Sequence, residues 1–206
     1  MAIDLDTGSI VTINNGGSAE YNDGSAHEVK SIDFSDGTNT WEVWKAETPI
    51  LSAGTYASGY SGTYRGNLNG NTSYNPFSYT AGSGIKYEGS LTGNNTRAGN
   101  AYINQQINAS NFNTLTFKFN TTGAAWSGNT GWTSGNYLQF GLASATGSAT
   151  AAPTFTQSTK ITSGSTLNES YTIDISGQTG NKYISIWVSF GGRAYTPFTI
   201  TDIILS

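Results

Sequence analysis

Two tryptophans six residues apart carry the clearest chemical signal in the chain. Trp126 and Trp132 stand in the stretch 123–136, among Gly, Ala, Ser, Thr and Asn and outside any regular alternation. An exposed indole stacks on the apolar face of a sugar ring, and the neighbouring Asn129 and Asn136 amides can hydrogen-bond its hydroxyls. The competing interpretation is that both rings fold back over an open sandwich end or enter a subunit interface. A second stretch, 191–197, offers Arg193 and Tyr195, side chains common at interface anchors. A plain exposed turn explains that pair equally well.

Catalytic chemistry has little to work with. The chain has no Cys and a single His, His27. Disulfides, thiol chemistry, Cys-based metal sites and two-His metal sites are therefore excluded, and a Ser-His-Asp triad would have to use His27. A glycosidase needs two carboxylates about 5–10 Å apart, and beyond residue 47 only Glu88, Glu169, Asp174 and Asp202 are available. Two of these fall within strand patterns, one beside a turn and one at a strand end, which are structural places. No Gly-x-Ser-x-Gly elbow, phosphate-binding loop with a Lys, zinc motif or EF-hand loop is present. No cofactor is expected, and loop carbonyls are the one route to a Ca²⁺. The nine Lys and Arg are scattered singly, which argues against nucleic acid. No run of 18 apolar residues exists to insert in a membrane.

The elements that would hold these residues follow from composition. Gly, Ser, Thr and Asn make up 100 of 206 residues, and only 11% are charged. Ala, Leu, Glu and Lys are too sparse for a helical bundle. Disorder is opposed by a net charge of only −4 and by 13% aromatic residues, which bring large buried areas. Charge also divides the chain: residues 1–47 hold nine of the 13 acids and two basic residues, whereas the remainder is net positive. This asymmetry predicts an acidic N-terminal β-hairpin module over 1–47, a Gly/Ser/Tyr/Asn-rich connection over 48–82 and a β-sandwich over 83–206.

In the first module, residues 10–13 read as a short strand, and the apolar positions of 28–34 fall out of register, which calls for a bulge or break. Ser35-Asp36-Gly37-Thr38-Asn39 is a hairpin turn, and the return strand alternates Trp41 and Val43 with Glu42 and Trp44. A lone hairpin is marginal in water, so Trp41 and Trp44 are candidates for docking on a larger assembly. In the connection, Tyr56, Tyr60 and Tyr64 recur every fourth residue, but the interspersed Gly argue against a helix. These tyrosines are expected to pack the segment onto the sandwich. From about residue 83, period-two alternation is regular: Leu115/Phe117/Phe119, Leu138/Phe140/Leu142, Tyr171/Ile173/Ile175 and Ile184/Ile186/Val188/Phe190. The last strand, 198–205, changes phase at Asp202, as a bulge requires. The fold class is all-β, an antiparallel sandwich of jelly-roll type preceded by a small β-hairpin module.

The strand sequences 113–119, 138–143, 171–177, 182–188 and 199–205 together resemble the jelly-roll domains appended to virion proteins of tailed bacteriophages. Similar sandwiches serve as carbohydrate-binding modules. The segment 28–45 looks like the short hairpin modules that phage structural proteins carry. The resemblance implies a non-enzymatic virion protein (capsid decoration, head fibre or tail component) made in the host cytoplasm. Its implied partners are other virion proteins, sister subunits in an oligomer such as a trimer, and host-surface glycans. The MAIDLDTGSI start, which lacks the pattern of a signal peptide, agrees with that localisation. The alternatives are a free-standing carbohydrate-binding module and, less favoured, a polysaccharide depolymerase.

Overall fold

The computed structural model describes residues 2–5, 9–13, 19–22, 26–29, 31–35, 40–45, 47–68, 75–87, 96–120, 137–162, 166–191 and 197–206. It divides into two compact units, Met1–Thr48 and Pro49–Leu205.

In the first unit β1 (Ala2–Leu5), β2 (Ser9–Ile13), β3 (Ala19–Asn22) and β4 (Ala26–Val29) form an antiparallel meander in that order. A separate hairpin joins β5 (Ser31–Ser35) and β6 (Thr40–Lys45). The expected hairpin is thus present beside a four-stranded sheet, whose short polar strands β3 and β4 have too few apolar residues to show alternation. The expected irregularity of 28–34 is a strand break, and a bulge lies on the return strand β6. The ladder changes sheet between Val29 and Ser31, and the hairpin register slips between Ile32 and Asp33. Ile32 pairs with Trp44 and Asp33 with Glu42, which leaves Val43 as the extra residue of a bulge. Trp41 stands opposite Phe34. The two tryptophans therefore sit opposite residues two apart on β5, whereas unbroken alternation puts them out of phase.

The second unit is a sandwich of two antiparallel sheets. Its strands are β7 (Thr48–Ser52), β8 (Thr55–Tyr56), β9 (Gly62–Leu68), β10 (Phe77–Thr80), β11 (Gly84–Tyr87), β12 (Thr96–Ile103), β13 (Ile107–Asn108), β14 (Thr114–Asn120), β15 (Tyr137–Ala145), β16 (Thr154–Thr162), β17 (Ser170–Asp174), β18 (Asn181–Gly191) and β19 (Phe198–Leu205). One sheet runs β10-β11-β19-β14-β17, with β7 also on β19 and β8 on β7; the other runs β16-β15-β18-β12-β9, with β13 on β18. Residues 48–82, expected as a connection, carry four strands that join both sheets. The alternation there is hidden because glycines occupy core-facing positions of β9.

The inward faces match the period-two reading. Leu115, Phe117, Phe119, Leu138, Phe140, Leu142, Ile173, Ile184, Ile186 and Val188 are all buried in one core. The phase change at Asp202 is a bulge: Lys118 pairs with Asp202 but Phe119 with Ile200, so Thr201 is the extra residue. That bulge receives the β7–β8 turn. The Gly54 N–H donates to the Thr201 carbonyl (2.7 Å), and the Ala53 N–H to Asp202 Oδ1 (3.1 Å). The turn has two central residues, both with positive φ, 45° at Ala53 and 72° at Gly54, as a type I′ hairpin requires. Alanine is a poor occupant of that conformation. Ala53→Asn or Ala53→Gly is expected to stabilise the protein by about 0.5–1 kcal/mol, read as a rise of about 1–4 °C in Tm. No rise in either variant would contradict this account of the turn.

The three tyrosines of the connection pack on the core, as expected, and are joined there by Tyr79. The Tyr56 and Tyr64 hydroxyls hydrogen-bond at 2.6 Å, and the Tyr56 and Tyr79 rings lie 4.7 Å apart. Burial, with the neighbouring phenols adding to it, pushes the Tyr56 hydroxyl far above the usual phenol range; burial also pushes Tyr64 up to about 12. A folded-state pKa above the unfolded value near 10 means that the native state holds a proton the unfolded chain has lost. The stabilisation is therefore complete below pH 10 and declines as pH rises beyond it. A Tm that falls steeply between about pH 10 and 12, with a weaker fall in Tyr56→Phe/Tyr64→Phe, is the expected result. Equal slopes in both proteins would refute it.

Candidate functional site

Because residues paired across a ladder share a face, the registers map the outer surface of the six-stranded sheet. One row runs Arg65, Asn100, Trp187, Gln139, Lys160 from β9 to β16. Beside it lies Thr63, Tyr102, Ser185, Gly141, Ser158, and on the other flank Asn67, Ala98, Ser189, Tyr137, Thr162. Tyr183 follows on β18, opposite Ala143. The set is aromatic and polar where an idle solvent face would carry short polar and charged residues.

The middle of this surface is buried although it faces away from the core. Asn100 and Ser185 are 0% exposed and Trp187 is 4% exposed. Part of the cover is the β15–β16 connection: Asn100 Nδ2 donates to the Thr146 carbonyl, and Arg65 Nη1 to that of Gly147 (3.2 Å). Asn100 Oδ1, Ser185 Oγ and Trp187 Nε1 find no hydrogen-bond partner among the described residues. A buried polar atom left unpaired costs about 1–3 kcal/mol. Three of them gather on adjacent register positions of β12 and β18.

The flanks are more open and their side chains hold one another in place. Arg65 Nη2 donates to the Tyr102 hydroxyl (2.9 Å), and its guanidinium carbon lies 5.2 Å from that ring's centre. Tyr102 in turn meets Tyr183 edge to face at 6.1 Å. On the far side, Lys160 Nζ stands 3.8 Å above the Tyr137 ring, and Gln139 Nε2 donates to Ser158 Oγ (2.8 Å). Such contacts fix ring planes and donor directions.

The residues singled out from sequence fall elsewhere. Trp126, Asn129, Trp132, Asn136, Arg193 and Tyr195 lie outside the described residues, and Trp41 and Trp44 belong to the β5–β6 hairpin of the first unit. Of the four acids weighed for catalysis, Glu88 is outside the described residues, and the carboxylates of Asp174 and Asp202 have structural partners. Asp174 Oδ1 accepts from the Ser176 hydroxyl (2.7 Å) and N–H (2.9 Å), which holds its carboxyl below the usual range. Asp202 receives the Ala53 N–H and the Thr201 hydroxyl. The Glu169 backbone carbonyl accepts from Phe119 N (2.7 Å). Among the described residues no group of three His, Asp or Glu could hold a metal ion.

The face just described was missed by the sequence reading, although a signal existed. Tyr137, Tyr183 and Trp187 stand in the polar phase of their strands, and large rings in that phase on neighbouring strands make a patch.

Comparison with known proteins finds no matching family model and no matching curated protein. Among solved structures, one similar chain is a Family 11 module from Clostridium thermocellum in complex with a β-1,3-1,4-mixed-linked tetrasaccharide. Its TM-score is 0.38 at 11% identity, over 77% of this chain and 94% of that one. Another comes from work on promiscuous specificity in the β-sandwich superfamily, with a TM-score of 0.35 at 13% identity, over 96% and 92% of the two chains. Both are carbohydrate-binding modules.

Proposed function

We propose that this protein is a non-catalytic carbohydrate-binding module whose glycan lies on the outer face of the six-stranded sheet. What carries the proposal is the burial of Asn100, Ser185 and Trp187 there, with three polar atoms unpaired among the described residues. An amide oxygen, a hydroxyl and an indole N–H are the acceptor and donors that sugar hydroxyls match. Tyr102 and Tyr183 supply apolar surface beside them. Because Asn100 is tied to Thr146, full engagement requires the β15–β16 connection to shift. The virion setting implied by the strand resemblance finds no support among the described residues, and the free-standing module fits them at least as well.

Affinity electrophoresis and calorimetry against a panel of soluble polysaccharides test the proposal. The wild-type protein is expected to bind at least one of them. Tyr102→Ala/Tyr183→Ala is expected to weaken that binding about tenfold or more, equivalent to about 1.4 kcal/mol. A parallel Trp126→Ala/Trp132→Ala variant reports on the tryptophan stretch and would show whether it extends the same surface. Wild-type silence across the panel, or binding untouched by the tyrosine pair in a variant that still melts cooperatively, would overturn the sheet-face site.

A further inference from the structure

The charges of the sandwich are segregated by sheet. The strands of the six-stranded sheet contain Arg65, Arg97, Lys160 and Lys182 and no acid. Those of the seven-stranded sheet contain Lys86 and Lys118 against Asp174 and Asp202, which cancel. A sheet with four positive charges and none negative, in a chain of net charge −4, runs against the overall sign.

Two of the four cations stand on the outer face, at opposite ends of one row. Arg65 and Lys160 are separated by Asn100, Trp187 and Gln139, that is by four strand spacings, or about 19 Å. Both are exposed, each beside a tyrosine ring that holds it. Arg65 uses one N–H of each terminal nitrogen on Gly147 and Tyr102; a guanidinium has five, so donors remain for an anion. The strand spacing along the row is comparable with the rise per residue of an extended pyranose chain.

Resting on the glycan-binding reading above, we infer that the preferred ligand is an acidic polysaccharide. With the β15–β16 connection shifted off Asn100, its chain crosses the strands along this row, and anionic groups on its sugars meet Arg65 and Lys160. Carboxylate and sulfate ester share the required chemistry, and Arg binds either with two parallel hydrogen bonds.

Binding of polygalacturonate, a carrageenan, neutral mixed-linkage β-glucan and single-stranded DNA to the full chain provides the test. Polygalacturonate or carrageenan is expected to bind more tightly than the glucan, at least about tenfold more weakly at about 200 mM salt than at about 20 mM. Arg65→Gln/Lys160→Gln is expected to lower that affinity at least tenfold, and Lys86→Gln/Lys118→Gln, with the same loss of charge on the other sheet, to leave it unchanged. Whichever polymer binds under those conditions identifies the anionic group. Binding of the glucan alone would overturn the acidic preference and leave the glycan site standing, whereas binding of no polysaccharide would overturn both. Equal losses in the two charge variants, or tighter binding of the DNA, would also overturn it.

Discussion

Truncating Phe140 to alanine is expected to destabilise the sandwich by about 4 kcal/mol, within the range for buried Phe. Phe140 is completely buried on β15 and lies where the two sheets meet. Its ring centre is 4.9 Å from that of Phe117, 5.2 Å from Phe119 and 5.3 Å from Tyr171, all on strands of the opposite sheet. Removal of the ring leaves three others facing a void that cannot close without one sheet shifting against the other, and strand pairing on both sides opposes that shift. Phe140→Leu, which keeps most of the volume, is expected to cost about 1–2 kcal/mol. Urea titration with unchanged m-values would give both numbers. A loss below about 1 kcal/mol for the alanine variant would mean that the centre collapses freely, contrary to this packing.

The second large effect is at Gly84, where alanine is expected to cost about 3 kcal/mol or more. The residue opens β11 with φ +99°, and a Cβ there would lie 2.1 Å from the Ile200 carbonyl oxygen. That oxygen belongs to the central strand of the seven-stranded sheet, so relief requires β11 to move away from β19. Gly82 provides the comparison. Its φ is +80°, but a Cβ there would meet nothing within 4 Å. Gly82→Ala is therefore expected to cost only the left-handed backbone, about 1–2 kcal/mol. Equal thermal shifts for the two variants would assign both costs to backbone conformation and eliminate the contact.

The fold was legible where inward positions carry large apolar side chains. The alternation of Leu115, Phe117 and Phe119, or of Ile184, Ile186 and Val188, leaves no other face for the core. It failed where the inward positions are small. In β12 these positions include Gly99 and Ala101, and a Cβ at Gly99 would meet Pro76 at 2.6 Å and Phe77 and Val188 at 3.1 Å. Large neighbours fill the space, so the strand itself shows no hydrophobic period. The same holds for Gly62 of β9, where a Cβ would run into the Tyr56 and Tyr64 phenols, and this is how a chain segment contributing to both sheets read as a connection. The candidate site was less legible for a different reason. Stripes on single strands are visible in a sequence, but the row from Arg65 to Lys160 exists only once five strands from residues 62–191 are laid side by side. Tryptophans among small polar residues, such as Trp126 and Trp132, stand out in the sequence without a topology.

The position of β19 has a consequence for the birth of the protein. The strand spanning residues 198–205 is the last of the sandwich to be synthesised, yet it pairs with β11, β14 and β7 in the middle of its sheet. Until residue 205 has cleared the ribosome, the two halves of that sheet have no common neighbour, and the apolar faces of β11 and β14 cannot close. Co-translational closure of this sheet therefore waits for β19. A nascent chain halted just before residue 198 presents two unpaired strand edges to its surroundings.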